Sequence, residues 1–117
     1  MIMEISGIGT DIVDIDRFRK KEYSRNKKFY ERIFSKSEIQ YCLSFKNNSE
    51  HFAGKFAIKE AVKKSIKENI GFKEILTNHE KSKPQIILKK KLNYRFLVSV
   101  SHEKDYAIAM VIALDNN

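Results

Sequence analysis

Cysteine, proline and tryptophan are nearly absent: the 117-residue chain has one Cys, one Pro, no Trp and only four Gly. A lone thiol, Cys42, excludes an intrachain disulfide and any zinc site built from cysteines. Scarce Pro and Gly exclude a collagen-like or Pro-rich linker protein. The longest apolar run, Ala107 to Leu114, is too short to cross a bilayer. Met1-Ile2-Met3-Glu4-Ile5 lacks the basic start and long apolar stretch of a signal peptide. These absences point to the cytoplasm and away from a membrane. Cys42 lies in a helix-like stretch, Ser37 to Leu43, and reads as a packed thiol.

What is present fits one globular domain over residues 1–117, with 42% hydrophobic and 32% charged residues and no repeat or linker. Lys and Arg number 23 against 15 Asp and Glu, a net charge of +8 that favours anionic partners. Much of the excess is local. From Arg17 to Arg32 eight basic residues (Arg17, Arg19, Lys20, Lys21, Arg25, Lys27, Lys28, Arg32) face two acidic ones, Glu22 and Glu31. Phe18, Tyr23, Phe29 and Tyr30 interleave them, which suits nucleic acid or an acidic protein helix.

The pattern predicts a short strand from Ile5 to Asp11, with Gly7 and Gly9 allowing a turn or a close approach. Asp14 or Asp16 then starts a helix. Ser35-Lys36-Ser37-Glu38 is a capping box opening a helix toward Phe45, and Asn47-Asn48-Ser49 reads as a loop. Glu50 to Glu68 is the strongest helix, and its apolar residues surround it instead of forming one stripe, as in a buried central element. Glu74 to Thr77 and Pro84 to Leu88 read as strands paired across a turn from Asn78 to Lys83. Arg95 to Ser101 alternates, with Phe96, Val98 and Val100 on one face, and after His102 to Asp105 a last strand runs from Tyr106 to Leu114. Helices followed by strands predict an α+β fold, an antiparallel sheet packed on a long central helix.

Chemistry has few places to reside. Asp11 is a carboxylate at the predicted strand end beside small residues; alone it reads as a turn or capping residue. Gly7-Ile8-Gly9 lacks the third glycine of a dinucleotide fingerprint. Glu60 sits on a helix with little open face. It is either an ordinary surface partner of Lys64 or a partly buried carboxylate needing a lysine or a metal. Asp11 and Glu60 together would suit Mg²⁺. Lys59, Lys63, Lys64 and Lys67 read as one positive side of this helix, solvated or gripping phosphates. Ser101-His102 closes a strand.

Taken together, the segments Gly7 to Val13, Phe29 to Phe34, Phe52 to Ala61 and Val98 to His102 resemble the holo-acyl-carrier-protein synthases, short bacterial 4′-phosphopantetheinyl transferases. Each segment is weak alone; the ordered set, with its aspartate and its Lys59-Glu60, is specific and spans nearly the whole chain. The resemblance implies the transferase fold and the Mg²⁺-dependent transfer of 4′-phosphopantetheine from coenzyme A to a serine of apo-acyl carrier protein, in support of fatty acid biosynthesis. It implies that Asp11 and Glu60 hold the metal and that Lys64 joins them at the phosphates. It puts Lys55, Lys83, Pro84, Ser101 and His102 around the nucleotide end, and carrier docking at Arg17, Lys28, Phe29 and Arg32. It also implies a homotrimer with sites completed between subunits.

The chain departs from the family in places. Ile66 to Gly71 stands where Gly-Thr-Gly is usual, Ser82-Lys83-Pro84 replaces Gly-Lys-Pro, Lys55 replaces an arginine, and Lys63 replaces a small polar residue. The rival reading is a small basic nucleic-acid-binding protein without catalytic activity. It assigns no role to Asp11 and Glu60 and shows no recognised binding motif, so no nucleic-acid partner is expected.

Overall fold

The computed structural model describes residues 4–116; the reading of Met1–Met3 as no part of a signal peptide lies outside the described residues. In chain order the elements are β1 (Ile5–Asp14), α1 (Asp16–Arg19), a 3-10 turn (Tyr23–Arg25), α2 (Lys27–Glu31), α3 (Lys36–Leu43) and α4 (Asn48–Ser65). A second 3-10 turn (Phe72–Glu74), β2 (Ile75–Glu80), β3 (Lys83–Leu88), β4 (Tyr94–His102) and β5 (Tyr106–Asp115) complete the fold. The architecture is α+β, as expected, but the strands divide into two antiparallel sheets: β1-β5-β4 and the β2-β3 hairpin. Among the described residues no helix is long and apolar enough to cross a membrane.

α4 is the central element because it is apolar on several sides and is covered on them. Every residue from Phe52 to Lys59 is buried. Against it lies the inner face of β5, built from Ala107, Ala109, Val111 and Ala113. Those small side chains let helix and sheet approach closely. A Cβ on Gly7 or Gly9 would stand 2.0 Å from the carbonyl oxygen of Ser65 or 1.9 Å from that of Ala61. Both glycines are therefore used for close approach, and neither makes a turn. Phe18, Tyr30, Phe34 and Phe52 form an aromatic cluster that packs α1 and α2 against the start of α4.

Several local expectations change. β1 does not stop at Asp11 but stays paired with β5 as far as Asp14↔Tyr106, which puts Asp11 inside a strand opposite Ala109. Asn48 and Ser49 open α4 instead of lying in a loop, and the helix ends at Ser65, where Ile66 turns extended (φ −124°, ψ 157°). The turn expected from Asn78 to Lys83 shrinks to Lys81-Ser82, both at positive φ (51° and 67°). Lysine and serine give no sequence warning of that conformation, which glycine and asparagine usually occupy. Cys42 is fully buried, and burial pushes its thiol up to about 12, so it is an inert packed group.

The largest correction concerns Lys59, expected on a positive helix side but 0% exposed. Its ammonium donates to Glu38 Oε1 (2.7 Å) and to the carbonyls of Ile33 (2.8 Å) and Phe72 (3.0 Å), using all three N–H bonds. Glu38 is the predicted capping-box glutamate. It accepts from the Ser35 N–H at 2.7 Å while Ser35 Oγ accepts from its own N–H. Its other oxygen accepts from Thr77 N–H (2.8 Å) and Oγ1 (2.7 Å). Burial alone would raise this carboxyl. The charge of Lys59 and the hydrogen bonds outweigh burial and hold it below the usual range, whereas burial keeps the Lys59 ammonium below its own. One ion pair thus ties together α3, α4, β2 and the turns at Ile33 and Phe72.

Replacing Glu38 with Gln should destabilise the fold by about 3–5 kcal/mol, because it leaves a buried ammonium without its counter-ion. Denaturant midpoints should show part of that loss recovered in the double variant Glu38→Gln with Lys59→Met. Because the folded carboxyl titrates below its unfolded value of about 4.3, its contribution is present above that pH and fades as the pH falls through the folded value. The stability gap between wild type and Glu38→Gln should therefore narrow in acid. A gap that does not depend on pH would contradict an ionised Glu38.

Candidate active site

β1 runs antiparallel along α4: Gly7 meets Ser65 and Gly9 meets Ala61. Two strand residues advance about 6.6 Å and four helix residues about 6 Å. Asp11, on the same strand face as the glycines, therefore comes level with the turn from Ala57 to Glu60. Lys64, one turn further along, reaches back: its ammonium donates to Asp11 Oδ1 (3.1 Å) and to the Thr10 carbonyl (3.0 Å). Asp11 is half-buried, its side chain 14% exposed, whereas that of Lys64 is 56% exposed. Glu60 is half-buried. Among the described residues it takes part in no salt bridge. The fold thus brings Asp11 of β1 to the stretch of α4 that carries Glu60 and Lys64, residues far from it in the chain, along one strand–helix seam.

The residues assigned to the nucleotide end come from β4, β3 and α4. Ser101 and His102 close β4 and are exposed, and His102 Nδ1 lies 3.8 Å from Glu50 Oε2. Lys83 and Pro84 begin β3, beyond the tight hairpin turn. Lys55 differs from the rest: it is 3% exposed, and its ammonium donates to the carbonyl (3.2 Å) and hydroxyl (2.9 Å) of Thr77. That ammonium also lies 4.7 Å from the Tyr41 ring. Lys55 therefore continues the Glu38–Lys59 network through Thr77.

Sequence reasoning singled out His102 alone, but all three histidines gather here. His51 stacks on Phe45 at 3.7 Å, His79 stacks on Tyr41 at 4.4 Å, and His51 and His102 lie 6.5 Å apart edge to face. Burial is the main cause holding His51 and His79 below the usual imidazole range. No spacing rule could have joined positions 51, 79 and 102, which come from α4, β2 and β4.

The basic stretch splits in two. Arg17 leaves α1 toward α4, its guanidinium 5.0 Å from the Phe56 ring centroid. Lys28 and Arg32 are exposed on and just after α2. Phe29 is half-buried, packed on Phe18 at 6.1 Å and Tyr30 at 5.3 Å, with the Lys21 ammonium 4.8 Å over its ring.

The family model of the 4′-phosphopantetheinyl transferase superfamily matches residues 7–111. A holo-[acyl-carrier-protein] synthase of Chlamydia felis is 40% identical, with 96% of this chain and 99% of that protein aligned. One from Thermodesulfovibrio yellowstonii is 37% identical over 92% of this chain and 97% of its own length. Among solved structures, a holo-(acyl-carrier-protein) synthase from Bacillus anthracis in complex with CoA (3′,5′-ADP) superposes with TM-score 0.83 at 30% identity, covering 97% of this chain and 99% of that one. Both the strand–helix seam and the whole-length likeness lead to one assignment: the chain belongs to the 4′-phosphopantetheinyl transferase superfamily, on its holo-acyl-carrier-protein synthase branch.

Proposed function

We propose that this chain, as one transferase domain over residues 1–117, moves 4′-phosphopantetheine from coenzyme A to a serine hydroxyl of an apo-acyl carrier protein. The other product is adenosine 3′,5′-bisphosphate, and the reaction serves fatty acid biosynthesis in the cytoplasm. The observation that carries this reading is the Lys64–Asp11 contact (3.1 Å) on the helix turn next to Glu60, in a chain of this family.

The donor set fits Mg²⁺. Asp11 and Glu60 are hard oxygen ligands, with no thiol or imidazole contributed by their elements nearby, and their partial exposure leaves room for water and phosphate oxygens. Asp11 and Glu60 would hold the ion, which when bound neutralises charge on the coenzyme A pyrophosphate. The remaining work belongs to the side chains. Lys64 can pass from Asp11 to a phosphate oxygen as a point charge. Glu60 has no salt bridge to a protein cation among the described residues, and beside holding the ion its carboxylate can accept the serine proton. Such a transfer needs positioning and charge neutralisation more than covalent help. Lys55, Lys83, Pro84, Ser101 and His102 would receive the nucleotide, and Arg17, Lys28, Phe29 and Arg32 the acidic carrier.

A homotrimer with shared sites is supported by the outer face of the larger sheet. Ile8, Ile12, Leu97, Tyr106, Ile108 and Met110 are all 44% exposed or more, although β5 is apolar on its inner face as well. Strands apolar on both faces are usually covered on both.

Incubation with coenzyme A, Mg²⁺ and an apo-carrier should add one phosphopantetheine to the carrier by mass, and a chelator should abolish the gain. An unmodified carrier would overturn the assignment. Asp11→Asn and Glu60→Gln should each lower turnover by about 10²-fold or more, with carrier binding retained. Arg17→Glu should raise the apparent KM for the carrier by about tenfold and change that for coenzyme A little; equal rises would remove Arg17 from docking. By light scattering, Met110→Glu should reduce the particle mass about threefold with helix content unchanged.

A further inference from the structure

The α4 face that carries Glu60 and Lys64 has two further members at helical spacing, Phe56 and Lys63. They take part in a ladder that crosses three elements. The Arg17 guanidinium lies 5.0 Å from the Phe56 ring centroid, Phe56 and Phe72 are 5.4 Å apart, and the Lys63 ammonium is 4.1 Å from the Phe72 centroid. The order is cation, ring, ring, cation. Among the described residues neither Arg17 nor Lys63 has a carboxylate within salt-bridge distance. A ring face orients a cation without cancelling its charge. Both charges are thus held in place and left uncompensated, and holding a side chain in its bound position lowers the ordering cost of binding.

Direction separates Lys63 from its neighbour. Successive helix residues point about 100° apart: Lys64 turns to Asp11 on β1, and Lys63 turns to Phe72, on the side of Arg17. The phosphate side of the seam is therefore that of Lys64, and the Lys63 side is continuous with the basic surface that begins at Arg17. No recognised nucleic-acid-binding motif accompanies this edge, and the relatives of this chain are named holo-[acyl-carrier-protein] synthases, so the anionic partner that suits it is an acidic carrier protein.

We propose that Arg17 and Lys63, each seated on its ring, are the two ends of one docking edge for the acidic carrier protein, with Lys63 gripping the carrier's acidic side chains nearest the serine that is modified. This rests on the transfer reading above, and it assigns a role to the lysine that replaces a small polar residue in this chain.

The test is fluorescence anisotropy of a labelled apo-carrier whose acceptor serine is changed to alanine, alongside KM for carrier and for coenzyme A. Lys63→Glu should weaken carrier binding and raise the carrier KM by about tenfold, with the coenzyme A KM within about twofold. Lys63→Arg should stay close to wild type. Phe72→Leu, which keeps the charge and removes its seat, should weaken carrier binding by a few-fold. Should Lys63→Glu perturb the fold, Lys63→Ser reads the same contact. A rise in the coenzyme A KM instead would make Lys63 a phosphate ligand and overturn the proposal, as would unchanged values for both substrates. Wild-type binding of the carrier without mass gain on an intact carrier would sink the transfer reading and leave the docking edge standing.

Discussion

β1 lies so close on α4 that neither Gly7 nor Gly9 has space for a Cβ, and the position of the candidate site follows from that contact. With the Gly9 backbone against the Ala61 carbonyl, Asp11 is carried to the turn bearing Glu60, and Lys64 can bridge back to it. A side chain at position 9 would have to move about 1 Å or more to clear the Ala61 carbonyl oxygen, pushing the strand outward and Asp11 away from α4. The alanines of β5 serve the same end, since a larger inner face would lift α4 off the sheet.

Close packing of a helix needs rigidity elsewhere, and the Glu38–Lys59 pair supplies it. A buried ion pair is a poor source of net stability, because two charges leave water for it. Its value here is geometric: Lys59 has one position that satisfies three acceptors, and Glu38 has one that satisfies four donors. The chain uses Thr77 to extend the same network to Lys55, so two successive turns in the middle of α4 are registered to β2. Lys59 is adjacent to Glu60, and the network therefore also holds the backbone that presents the candidate metal ligand.

The surface is divided by charge and polarity. The outer face of the three-stranded sheet is apolar, the strand–helix seam is acidic with one lysine bridging it, and the Arg17–Lys63 edge is basic. In the proposed function those regions would receive three different occupants: a second copy of the chain, a metal-bound pyrophosphate and an acidic protein. Their adjacency is what a group transfer between two large substrates requires, since the reacting phosphate and the receiving hydroxyl must meet at one point.

Much of this was legible in order of residues. The capping box at Ser35 and Glu38, the many-sided apolar helix and the alternation of β4 are local patterns, and local patterns translate directly into elements. The ordered segments from Gly7 to His102 carried the family as well. Beyond their reach lay whatever depends on which elements touch. Lys59 and Lys64 look alike in the sequence, five residues apart on one helix, yet one is buried against Glu38 and the other is exposed beside Asp11. Only the packing of α3 and β1 on different sides of α4 decides between them, because a lysine's environment is set by partners distant in the chain.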